Sequence, residues 1–165
     1  MWIYEGKEIK SLNDIEKYHG STPFGFIYNI VLSHGGKSYE YIGKKNLFSI
    51  RSKVASQKQV EKLGKSTFRR KKQKKGKKAG EWVYYEVVKK ENKWQDYLSS
   101  SKEVHQLIKN GAIYTKYILE FVDEENMMHY RECKNQFCSS VLEESRFLND
   151  SILGRFYKKN ISKDR

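Results

Sequence analysis

Cysteine is nearly absent: only Cys133 and Cys138 occur in 165 residues, five positions apart and with no second pair elsewhere. That excludes a cysteine-rich zinc site or a disulfide framework and fits a reducing cytoplasm. Long apolar runs are missing too, since none approaches the roughly 18 residues of a membrane span. The first residues, Met1-Trp2-Ile3-Tyr4-Glu5, lack the charged and apolar regions of an export signal, so a cytoplasmic protein away from membranes is expected. Acids are in short supply, 20 Asp and Glu against 33 Lys and Arg, which leaves a formal charge of +13. A small chain carries such an excess when an anionic partner screens it, and nucleic acid is the first to consider. A membrane surface fits less well, because the longest basic run has almost no apolar residues within it and cannot build an inserting amphipathic face. What is present suffices for a core: 38% hydrophobic and 14% aromatic residues in a length typical of one domain.

The pattern predicts an α+β fold with three strands and flanking helices. A short helix is expected over Ser11 to Tyr18, with Leu12, Ile15 and Tyr18 at helical spacing, ended by the one proline, Pro23. Phe24 to Leu32 carries apolar residues on both alternating faces, which predicts a central strand buried on both sides. His34-Gly35-Gly36-Lys37 supplies a tight turn, and Tyr39 to Ile42 returns as a second strand. A helix from about Ser49 to Leu63 is read from Ile50, Val54 and Val60. Residues 65 to 78 hold nine cations and no acid, a block expected to stay extended or disordered until a polyanion neutralises it. Trp82 to Val88 reads as a strand or short helix, Lys102 to Lys109 as a helix capped by the serines before it, and Ala112 to Val122 as the third strand. Glu124 to about Leu142 is the clearest helix, with Tyr130, Cys133, Phe137 and Val141 as its apolar stripe and His129, Glu132 and Gln136 along the edge. Residues 1–22 read as an appendage, 23–157 as one domain with a basic insertion at about 64–80, and 158–165 as a basic tail.

Two segments stand together on the expected hairpin: Gly25-Phe26-Ile27-Tyr28, and Tyr41-Ile42-Gly43 thirteen residues on. Arg51 follows ten residues after Tyr41, Glu132 lies in His129-Tyr130-Arg131-Glu132-Cys133, and Asn149 in Phe147-Leu148-Asn149-Asp150. In that serial order these residues resemble the GIY-YIG nuclease superfamily, and in particular the phage-encoded Seg-like homing endonucleases. Gly43-Lys44-Lys45, the Trp94-x-x-Tyr97-x-Ser-Ser-Ser segment and Ile152-Leu153-Gly154-Arg155-Phe156 add to the likeness, which covers about residues 23 to 157. The departures are the longer spacing between the tyrosines and the basic segment from Lys65 to Lys78.

The resemblance implies a small GIY-YIG domain that hydrolyses phosphodiester bonds of double-stranded DNA with Mg2+, or Mn2+ in its place. It assigns Tyr28 as a base, Tyr41 to positioning the water or phosphate, Arg51 on the first helix to gripping phosphate, Glu132 to the metal, and Asn149 to orienting a ligand or the backbone. Each role has a chemical reason: an arginine fork matches two phosphate oxygens, and a carboxylate suits a hard cation. A tyrosine near its ordinary pKa of about 10 needs a neighbouring cation before it works as a base. Lys44 and Lys45 are candidate phosphate contacts, and Arg69, Arg70, Lys71, Lys72, Lys74 and Lys75 would add affinity without sequence preference. Read singly, the two tyrosines are also ordinary strand aromatics, Arg51 a solvated cation and Glu132 an ion-pair partner. His34, His105 and His129 have no zinc-helix spacing. No zinc finger or helix-turn-helix is evident, so target preference would come from the basic segment, the N-terminal residues, a homodimer or a separate targeting partner. The alternative is a catalytically inactive nucleic-acid-binding protein on the same fold. An RNA-binding protein is a weaker reading, since the aromatics fall in core strands and form no exposed platform.

Overall fold

The computed structural model describes residues 1–74, 76 and 79–152 in full and the backbone of 156–157. The chain forms two compact units, one of Met1–Leu47 with Lys93–Arg165 and one of Phe48–Asn92. The expected basic tail, 158–165, and Lys75, Lys77 and Lys78 lie outside the described residues.

The first unit is built on a five-stranded sheet, which corrects the expected three. Its strands are β1 (Trp2–Tyr4), β2 (Lys7–Ile9), β3 (Gly25–His34), β4 (Lys37–Asn46) and, after three strands of the second unit, β8 (Ile113–Val122). The order is β2-β1-β8-β3-β4, with every pair antiparallel except β1 and β8. The three expected strands sit side by side as β8-β3-β4, with β3 central. The two extra ones come from the N-terminal hairpin, which turns at Glu5 and Gly6 with φ of 47° and 77°. Trp2 explains why so short a hairpin holds: it is fully buried and its indole N–H donates to the Trp94 carbonyl at 2.9 Å. It also packs edge-on against Phe26, with ring centroids 5.0 Å apart.

β3 is buried on both faces, as its pattern predicts. Phe26, Tyr28, Ile30 and Leu32 form one row, and Phe26 and Tyr28 meet Trp2 and Trp94 in an aromatic cluster. Ile27 on the other face joins Ile42, Val122, Met128, Cys133, Val141, Leu142, Phe147 and Ile152 in the core under α4 (Met127–Cys138). Gly35 and Gly36, with φ of 58° and 74°, close the β3–β4 hairpin in the left-handed backbone region that favours glycine. Helix α1 (Leu12–His19) begins at Ser11 with a capping box to Asp14, and α3 (Lys102–Lys109) begins at Ser101, whose hydroxyl accepts from the Val104 N–H. Beyond α4 the chain runs along the open edge of β4: Glu40 N–H donates to Arg146 O at 2.9 Å and Leu148 N–H to Glu40 O at 2.8 Å. A short pair, β9 (Ser151–Ile152) and β10 (Phe156–Tyr157), follows.

The second unit overturns the helix expected from Ser49 to Leu63. Its first half is a strand, β5 (Phe48–Val54), and only α2 (Gln57–Leu63) is helical. Phe48, Ile50 and Val54 lie at even spacing with Ser49, Arg51 and Lys53 between them, a period of two that the four-residue step from Ile50 to Val54 disguises. Within the basic block Arg69–Lys72 is extended, as strand β6, and pairs with β7 (Trp82–Glu91). Pleating sends Arg69 and Lys71 to one face and Arg70 and Lys72 to the other, which separates the like charges that would repel in a continuous run. The sheet order is β5-β7-β6, antiparallel throughout.

Candidate functional site

Tyr28 lies opposite Gly43 in the β3–β4 ladder, and Ile30 opposite Tyr41. The two tyrosines are therefore diagonal neighbours on one face, with ring centroids 6.3 Å apart. Gly43 makes this possible, because a Cβ there would stand 2.6 Å from the Tyr28 hydroxyl oxygen and 3.0 Å from Tyr41 Cε1. The glycine is thus a space in the sheet into which Tyr28 leans.

Tyr28 is buried, and burial pushes its pKa far above the ordinary tyrosine range, with Tyr97, Tyr41 and Glu132 nearby adding to the rise. Burial raises Tyr41 as well, against a lowering hydrogen bond to Ser100. The Tyr41 hydroxyl lies 3.4 Å from Ser100 Oγ, just before α3.

Across the edge of β4 the polar groups of α4 arrive. Lys44 points to that side, with its ammonium 2.9 Å from Glu132 Oε2 and 2.5 Å from His129 Nδ1. Glu132 is one turn after His129, so one lysine reaches both. Asn149 is buried and clamps Ile42 with two bonds: its Oδ1 accepts from the Ile42 N–H at 3.0 Å and its Nδ2 donates to the Ile42 carbonyl at 2.8 Å. Gln136 Nε2 donates to that same carbonyl at 3.1 Å. The central residue of Tyr41-Ile42-Gly43 is thereby tied to α4 and to the returning chain, which fixes the two residues beside it.

Of these residues, Tyr41, Glu132, Gln136 and Asn149 line an open cleft of about 470 Å³, together with Ser100, Ser101 and Asp150 among others. Glu132 contributes a single carboxylate, and among the described residues no set of three His, Cys, Asp or Glu side chains is placed to hold an ion. A hard cation that keeps most of its water and takes phosphate oxygens asks for only one or two protein carboxylates, so this donor set fits a divalent ion that arrives with a phosphate.

Of the residues singled out in the sequence, Tyr28, Tyr41, Lys44, Lys45, Glu132 and Asn149 belong to the first unit. Lys45 is spent differently from Lys44: its ammonium sits over the Tyr97 ring, 3.8 Å from the centroid, and burial lowers its pKa. Arg51, Arg69, Arg70, Lys71, Lys72 and Lys74 belong to the second unit, and Arg51 is on strand β5 instead of a helix, exposed and opposite Val88. Sequence reasoning gave no role to Tyr97, whose ring lies 6.0 Å from that of Tyr28, to Ser100, or to Gln136 as a backbone tie. The Trp94-x-x-Tyr97-x-Ser-Ser-Ser segment was the available signal for the first two.

The first unit thus carries paired tyrosines on a β-hairpin, an open cleft and a helix-borne carboxylate. Residues 2–161 match the family model described as "Putative endonuclease segE, GIY-YIG domain", and the chain belongs to this GIY-YIG family. No curated protein and no solved structure matches the chain.

Proposed function

We propose that the protein is a divalent-metal-dependent DNA endonuclease of the phage homing or mobile-element kind, with its active site in the cleft at the edge of β4. The observation that carries this reading is the convergence of Tyr41, Glu132 and Asn149 on one cleft, with Tyr28 directly behind Tyr41. Glu132 would hold the ion, Mg2+ with Mn2+ as a substitute. When bound, the ion would offset charge developing on the phosphoryl oxygens. Tyr41 and Ser100 would position the phosphate or the attacking water, and the N-terminal turn of α3, which lines the cleft, favours an anion there. Tyr28 would take the proton from that water once cationic neighbours bring its pKa down. Lys44, already an ammonium beside Glu132, would turn to the phosphate as the ion takes the carboxylate. Arg51 would offer its guanidinium fork to phosphate oxygens of the DNA.

One observation favours the second reading, a nucleic-acid-binding protein without turnover: Lys44 already neutralises Glu132. Supercoiled plasmid incubated with the protein and Mg2+ decides between them, beside Glu132→Ala, Arg51→Ala and EDTA controls. Nicking or linearisation by the intact chain alone is expected, with the Glu132 variant at least 100-fold slower, in line with loss of about 3 kcal/mol of transition-state stabilisation. A gel shift with no cleavage under any divalent metal would move the protein to the binding class.

A further inference from the structure

The second unit, Phe48–Asn92, carries fifteen Lys and Arg against four Glu, which is +11 of the chain's +13. The rest of the chain is close to neutral. The pairing register sorts this charge by face. Arg51 opposes Val88, Lys53 opposes Glu86, Ser49 opposes Lys90, Arg70 opposes Tyr84 and Lys72 opposes Trp82. One face of the sheet therefore presents Arg51, Lys53, Arg70, Lys72 and Lys90 with one acid, Glu86. These five cations are all exposed. Trp82 stands among them 57% exposed, with the Arg70 guanidinium 5.2 Å from its ring centre.

The opposite face has a different character. It carries Phe48, Ile50, Val54, Val83, Tyr85 and Val87 along with three cations, Arg69, Lys71 and Lys89, and one acid, Glu91. Val83 there is, among the described residues, one of three buried in the unit, with Val60 and Phe68, and Lys89 is engaged over the Phe48 ring at 3.8 Å. That face is mostly apolar, with Ile50, Val54 and Val87 exposed beside the buried Val83, whereas the other is mostly cationic.

We infer that the face of Arg51, Lys53, Arg70, Lys72 and Lys90 is a docking surface for the phosphate backbone of duplex DNA, and that the cations of the opposite face are not part of it. Cations two residues apart on a strand are about 7 Å apart, twice the roughly 3.4 Å rise per nucleotide of a DNA strand, so a row of them can follow alternate phosphates. Contacts of this kind hold and orient the duplex without reading its sequence. The inference rests on DNA being the substrate. It adds a division that the run of basic residues conceals: half of the charges in Arg69-Arg70-Lys71-Lys72 bind DNA and half do not.

The test compares two triple variants of equal charge, Arg70→Ala/Lys72→Ala/Lys90→Ala and Arg69→Ala/Lys71→Ala/Lys89→Ala. Both are made in full-length Glu132→Ala protein without metal, so that duplex binding is read apart from cleavage. Arg51 is left intact because it belongs to the proposed catalytic set. The first triple is expected to lower the slope of log affinity against log salt by about 2.7 and to weaken binding on the order of a hundredfold at 100 mM salt. The second should weaken it several-fold at most. Lys90→Gln against Lys89→Gln repeats the comparison with one exposed side chain on each face, in case a triple variant fails to fold. Equal losses from the two faces, or a larger loss from the second, overturn the inference. Failure of the nuclease reading is a separate result, seen as absence of nicking by the intact chain.

Discussion

Gly43 is where the demands of packing and of the site meet in one residue. Any side chain there must displace Tyr28, whose hydroxyl oxygen and Cζ lie 2.6 and 2.8 Å from the position of the added carbon. Tyr28 is enclosed by Trp2, Phe26, Tyr41 and Tyr97 and has nowhere to go. Gly43→Ala should therefore cost about 1–3 kcal/mol, the range for overpacking a filled core, and depress nicking along with it. The denaturant midpoint and the plasmid assay read the two effects. Tyr28 itself supplies a pH prediction. Its folded-state pKa is raised, so the unfolded chain loses this proton near pH 10 while the folded chain keeps it. The corresponding stability is complete below about pH 10 and is lost as pH climbs above it. Between pH 9 and 11 the urea midpoint should fall further for the wild type than for Tyr28→Phe. An equal fall in both would mean that the hydroxyl is solvated. If Tyr28 is also the base, nicking rises with pH through the neutral range, and Tyr28→Phe removes the rise.

At the scale of elements, Asn149 does what no strand can, since β4 is an edge and Ile42 would otherwise show unpaired backbone groups there. Asn149→Ala leaves the Ile42 N–H without its acceptor, and the carbonyl retains only Gln136. A loss of about 2 kcal/mol is expected, within the cost of stranding a buried donor, and Gln136→Ala should cost less because Asn149 still serves the carbonyl. Chemical denaturation of the two variants and their double mutant tests this, and a double loss larger than the sum would show that the two amides share one task. Much of this was legible in the chain. The periodicity of β3 and the Gly35-Gly36 turn gave the hairpin, and serial order brought Tyr28, Tyr41, Glu132 and Asn149 to one unit. The last helix was legible but its inward face was not: α4 buries Met128, Cys133 and Gln136, while Tyr130 and Phe137 of the expected stripe are 59% and 54% exposed and Val141 lies beyond its end. Other parts were not. β1 and β2 are three residues each, turn at a non-glycine Glu5, and depend on Trp2 meeting Trp94 ninety-two positions away, which no local window contains. β5 offered both a two-residue and a four-residue apolar period, and the choice between them moved Arg51 from a helix to a strand.

For the whole molecule, the net charge is a property of one unit and not of the chain. The unit with the paired tyrosines and Glu132 is almost balanced, while Phe48–Asn92 holds nearly all of the excess. On the proposed function such a split would separate holding from cutting, and salt should act on the first. Each phosphate neutralised adds about 0.9 to the slope of log affinity against log salt, so even six contacts imply roughly a thousandfold loss between 50 and 200 mM. The groups within the cleft are partly shielded, as Lys44 and Glu132 are, with side chains only 22% and 19% exposed, and partly buried pairs are screened far less than exposed ones. Steady-state nicking across that salt range should therefore show KM rising steeply while kcat at saturating DNA changes little. If kcat fell in parallel and KM stayed level, salt would be acting on the cleft, and the second unit's charge would have no part in holding DNA.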